Sequence, residues 1–131
     1  RMLLLEAVED GGVRFAPLSK YLSDYDDGEP YPGMCVLARR KGITPEHVTS
    51  IAKYGLDALT KPYDNAEIAK IVGRIALGQG RHDENDAYIC SELVQACYKA
   101  AGWPFKEDSR GFIAPKDIWN DPAVSLVARI L

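Results

Sequence analysis

Tyr88-Ile89-Cys90-Ser91-Glu92-Leu93-Val94 decides how the chain is read, because it places a cysteine where an amphipathic helix is expected to begin. Leu93, Ala96, Cys97 and Ala100 recur at helical spacing on one face, and Gly102 stops the run. The residues before it, 78–86, are polar and read as a loop. The first turn of a helix presents unpaired backbone N–H groups and partial positive charge. A thiolate there is stabilised and becomes a usable nucleophile near neutral pH. The competing reading is a small buried hydrophobe, the commonest fate of a cysteine outside a disulfide. Cys97, mid-helix among alanines, and Cys35, inside an apolar strand, are read that way.

Working outward, Leu3 to Val8 is a short apolar run, and Val13-Arg14-Phe15-Ala16 alternates after the Gly11-Gly12 turn, which predicts a hairpin. Leu18 to Tyr25 reads as a short helix, Asp24 to Gly33 as a loop, and Met34 to Arg39 as a buried strand. Thr44-Pro45-Glu46 opens a helix in which Val48, Ile51, Ala52, Gly55 and Leu59 keep helical spacing until Pro62. A further helix is expected after Asp64 or Asn65, with Ile68, Ile71, Val72 and Ile75 inward. A short turn at Asp117 to Asn120 leads to a closing strand, Val124 to Leu131. The mixture predicts one α+β domain over 1–131, with a small antiparallel sheet packed against helices. Arg1 runs straight into what reads as a core strand, so an N-terminal segment is expected to be absent.

Composition narrows the function. The 131 residues carry a net charge of −3, and the one basic cluster, Arg39-Arg40-Lys41, reads as the end of a strand, so nucleic-acid binding is not expected. Three cysteines make neither an even framework nor a Cys-x-x-Cys pair, which argues against disulfide stapling and structural zinc. No metal and no cofactor is implied. No apolar run reaches transmembrane length and no signal peptide is visible. The compartment is open, with a reducing, cytoplasmic one slightly favoured.

A cysteine nucleophile needs a base and a group behind the base. The chain has two histidines, His47 and His82, and both precede Cys90, which excludes the papain order. His47, in the first turn of its helix, reads as a surface residue. His82, in Arg81-His82-Asp83-Glu84-Asn85-Asp86, reads as part of a solvated loop. Glu92 reads as a capping carboxylate for the first turn and Ser91 as a first-turn residue.

The Cys90 segment, with Gly102 closing its helix, resembles the nucleophile helix of the permuted papain-like amidases, the YiiX-like branch of the NlpC-type cysteine peptidase superfamily. Lys61-Pro62-Tyr63-Asp64 is similar to the Tyr-Asp pair that precedes the cysteine there. Leu4-Leu5-Glu6-Ala7, Gly12-Val13 and Pro17-Leu18-Ser19-Lys20-Tyr21-Leu22 resemble the strand, hairpin and short helix of that family, and Ile113-Ala114-Pro115-Lys116-Asp117-Ile118 the approach to its last strand. The resemblance implies a circularly permuted papain-like fold. It implies Cys90 as nucleophile, Glu6 as the residue orienting a histidine, Tyr63 at the substrate site or oxyanion pocket, and the Cys90 backbone N–H as an oxyanion donor. The family's histidine belongs on the strand before Glu6, where this sequence has no residues.

The expected activity is hydrolysis of an amide or ester through a thioacyl intermediate on Cys90, with a peptide, a cell-wall peptide or an acyl lipid as substrate. Two alternatives stay open. One is a non-catalytic binding domain that keeps the fold. The other is a thiol acyltransferase, which differs only in the acceptor. Oligomeric state is not legible.

Overall fold

The computed structural model describes residues 2–8, 12–60, 82–109, 111 and 113–131. Its element order is β1 (Leu3–Val8), β2 (Gly12–Pro17), α1 (Leu18–Ser23), β3 (Val36–Arg40), α2 (Pro45–Thr60), α3 (His82–Ala100), α4 (Pro115–Trp119) and β4 (Val124–Arg129). The class is α+β, as composition and pattern predict. The single small sheet of the sequence reading is instead two antiparallel pairs, β1–β2 and β3–β4, among the described residues. The helix expected after Asp64 lies outside the described residues.

The first pair is the predicted hairpin, with Leu5 opposite Phe15 and Glu6 opposite Arg14. Successive side chains of a strand point to opposite faces. Leu5 points at the helices: a methyl group at Gly55 of α2 would lie 2.5 Å from Leu5 Cδ2 and 3.7 Å from Cys97 Sγ of α3. The missing side chain at Gly55 is what lets α2, α3 and β1 meet this closely. Ala7 shares that face and is buried, as is Cys97. Glu6 therefore lies on the other face, which α1 covers through Tyr21.

The start of α2 follows the sequence rule. Thr44 Oγ1 accepts the His47 N–H at 3.2 Å, and Pro45 takes the first helical position. A reciprocal bond closes the cap, because the Thr44 N–H donates to His47 Nδ1 at 3.2 Å. The end of α3 is equally regular: Gly102 turns at φ +70°, and the Trp103 N–H returns to the Tyr98 carbonyl at 3.0 Å.

The start of α3 departs from expectation. The helix begins at His82, inside the run read as a polar loop. The short turn expected at Asp117 is a helix, α4, with Pro115 at its first position and the Asp117 carboxylate accepting the Ala114 N–H at 2.8 Å.

Among the described residues, Arg40 ties the second pair, β3–β4, to the segment after α3. Arg40, only 7% exposed, donates to the Trp103 carbonyl at 2.5 Å, the Pro104 carbonyl at 3.2 Å and Asp121 Oδ2 at 3.2 Å. Its guanidinium lies 4.0 Å from the ring centroids of both Trp103 and Phe105. Replacing Arg40 with Leu leaves the Asp121 carboxylate without its cation and two carbonyls without donors, and should destabilise the fold by about 3 kcal/mol or more. Urea unfolding followed by circular dichroism measures this, and an unchanged midpoint would contradict the role given to Arg40.

Candidate functional site

Cys90 is exposed and sits about two turns inside α3 rather than in its first turn. This corrects the electrostatic argument from sequence. The charge at a helix N-terminus acts within its first turn, and Cys90 lies beyond it. The Cys90 backbone N–H also lies in the helix interior, where the helix's own i−4 carbonyl takes it. It is not presented to a substrate oxyanion in this conformation. Glu92, likewise inside the helix, has no first-turn N–H groups to cap.

The Cys90 thiol donates to the Ala7 carbonyl of β1 at 3.0 Å. The arrangement holds the thiol at the junction of α3 and β1 in its resting form, one residue along the strand from Glu6.

Both carboxylate oxygens of Glu6 are taken. Arg14 Nε donates to Oε1 at 2.8 Å, and the Tyr21 hydroxyl donates to Oε2. Burial, followed by the hydrogen bond to Glu6, pushes the Tyr21 phenol up from its ordinary value of 10.0 to about 12. Tyr21 also packs with Tyr25 and Tyr31, at ring-centroid distances of 5.5 and 6.1 Å. The structure thus brings Glu6 together with Arg14 and Tyr21 on the α1 face of the hairpin, while Cys90 meets the backbone of the neighbouring residue. An open hollow of about 470 Å3 beside α1 is lined by Pro17, Ser19, Lys20, Ser23 and Asp24, and neither Cys90 nor Glu6 lines it.

The remaining candidates fall elsewhere. Tyr63, with the Lys61-Pro62-Tyr63-Asp64 segment, lies outside the described residues, as does the side chain of His82. His47 is engaged with Thr44 and stacks on Trp103 at 4.8 Å, so it is more than a solvated surface residue. Cys97 is the buried structural cysteine expected, and burial pushes its thiol up. Among the described residues no disulfide forms, no group of three or more His, Cys, Asp or Glu side chains could hold a metal ion, and no helix is long and apolar enough to cross a membrane.

Two polar residues of α3, Ser91 and Gln95, are buried and bonded. Ser91, 2% exposed, donates from Oγ to the Ile113 carbonyl at 2.8 Å. Gln95, 4% exposed, gives its amide to the Phe105 carbonyl at 2.8 Å and receives the Phe105 N–H at 2.8 Å. The buried side of α3 therefore includes polar residues at 91 and 95, whereas Ala100, expected inward, is exposed. Serine and glutamine at i, i+4 beside an apolar stripe was the available signal, but only a partner loop makes it readable.

Compared with known protein families and with curated proteins, the chain matches no family model and no curated protein.

The Tyr21 shift has a definite pH consequence. Its folded pKa lies above the unfolded value, so its contribution to stability is complete below pH 10.0 and is lost as the pH rises toward about 12. Wild-type stability should fall across that window and fall less in Tyr21→Phe. Urea midpoints at several pH values check this, and parallel slopes for the two proteins would contradict it.

Proposed function

We propose that the protein is a cysteine hydrolase in which Cys90 attacks an amide or ester carbonyl of a peptide, a cell-wall peptide or an acyl lipid. The observation that carries this is the exposed thiol, held 3.0 Å from the Ala7 carbonyl where α3 crosses the strand that bears Glu6. Cys90 and Glu6 lie 84 positions apart, and the fold brings the cysteine to Glu6's immediate neighbour. The order of motifs resembling the permuted papain-like amidases supports the same reading.

In the proposed reaction the thiol proton passes to a histidine as the Sγ–C bond forms. The C–N or C–O bond then breaks, and the leaving amine or alcohol takes that proton. Water attacks the thioester, releases the acid and restores the thiol. Glu6 is assigned the orientation of the histidine, and Tyr63 a place at the substrate. The resemblance assigns the proton acceptor to a histidine, and His47 is engaged with Thr44 and Trp103. Hydrolase and acyltransferase differ here only in whether water or another nucleophile meets the thioester.

A second reading, a non-catalytic interaction domain, draws support from two observations. Cys90 sits inside its helix rather than at the tip, and both Glu6 oxygens already accept hydrogen bonds.

Acetyl transfer from p-nitrophenyl acetate separates the two. The hydrolase reading expects one acetyl group on the Cys90 peptide by mass spectrometry, removable by hydroxylamine. Turnover should be abolished in Cys90→Ala and slowed roughly tenfold or more in Glu6→Gln. Nitrophenolate release by Cys90→Ala at the wild-type rate sinks the hydrolase and leaves the interaction domain.

A further inference from the structure

We propose that Ser91 and Gln95 are positioning residues for Cys90: their buried hydrogen bonds to residues 105–113 set the rotation and height of α3, and so decide where the Cys90 sulfur stands on β1. The inference rests on Cys90 being the reactive residue.

A helix that packs only through apolar contacts tolerates small rotations and slides, because dispersion and burial are not directional. Ser91 and Gln95 are one turn apart on the same side of α3 and are among its most buried residues. A hydroxyl and an amide there carry a desolvation penalty that alanine or leucine would not. Their partners include three main-chain groups: the Ile113 carbonyl, and both the N–H and the carbonyl of Phe105. Gln95 pairs with Phe105 as a neighbouring strand residue would, donating and accepting at 2.8 Å each way. Its amide also reaches Glu107 Oε1 at 3.0 Å. Lys99, one turn further along, pairs with that same carboxylate, and the Lys99 and Gln95 hydrogen bonds hold Glu107 below its ordinary pKa.

Directional bonds of this kind are satisfied at one orientation of the helix only. Cys90 precedes Ser91 directly, about 100° around the axis, and its thiol donates to the Ala7 carbonyl. A small rotation of α3 would break that contact while leaving the apolar packing nearly unchanged.

The test is the pH profile of Cys90 alkylation by iodoacetamide, read peptide by peptide in the folded protein, with Cys35 as internal reference and a short peptide of residues 88–92 as the unstructured limit. In Ser91→Ala, and independently in Gln95→Met, the Cys90 profile should move from its wild-type position toward that of the peptide, by roughly threefold in rate at fixed pH, while Cys35 keeps its rate. Variant profiles that superimpose on wild type, with only a lowered unfolding midpoint, would show a purely structural role and overturn the inference. The reading of Cys90 as a nucleophile fails separately: wild-type Cys90 acquires no acetyl group from p-nitrophenyl acetate, whatever the two variants do to alkylation.

Discussion

A buried guanidinium holds this molecule together. Two-stranded sheets are marginal by themselves, and β3–β4 gains little from apolar burial, since Leu126 and Val127 are 58% and 53% exposed and lie on opposite faces of β4. Among the described residues, Arg40 is what ties the pair to the segment after α3. Taking its charge out of water costs several kcal/mol. Three hydrogen bonds from a charged donor, each worth about 1.5–3 kcal/mol, and the nearby Trp103 and Phe105 rings offset that penalty. One polar atom stays unsatisfied, the buried Arg40 Nε. The balance is favourable only while Trp103, Pro104 and Asp121 keep their places, so β3, the segment after α3 and the approach to β4 are fixed together.

The second organising element is α3. One side lies against Leu5 and Gly55 through Cys97. Another reaches the segment 105–113 through Ser91 and Gln95. Cys90 stands between them on β1. The hairpin is covered on its two faces by different partners, α2 with α3 on one and α1 on the other. This separates the Glu6 carboxylate from the thiol although Ala7 is its immediate neighbour. Chemistry that joins the two must reach across the edge of the hairpin rather than through it.

Much of the fold could be read from local pattern. The Gly-Gly turn between alternating strands, the Thr-Pro-Glu opening of α2 and the Gly102 stop of α3 are each decided within a few residues. What could not be read depended on distant partners. Arg39-Arg40-Lys41 looks like a surface charge run, and only the loop 103–105 and Asp121 make a core residue of Arg40. Ser91 and Gln95 look like helix surface until Ile113 and Phe105 supply their partners. The run 78–86 reads as a loop by its polarity, whereas the helix starts at His82 and sets Cys90 about two turns inside it. Cys90 and Glu6 could be picked out as candidates from sequence, but not the depth of the cysteine within its helix.

The stacking around Trp103 gives the protein a built-in optical signal. Its indole touches the Arg40 guanidinium on one hand and the His47 ring on the other, whereas the second indole, Trp119, is half open to water. Emission from the first changes when β3 detaches from the segment after α3, because the Arg40 guanidinium then leaves its ring. Fluorescence of the native chain, with no label added, therefore reports the integrity of one junction rather than of the molecule as a whole.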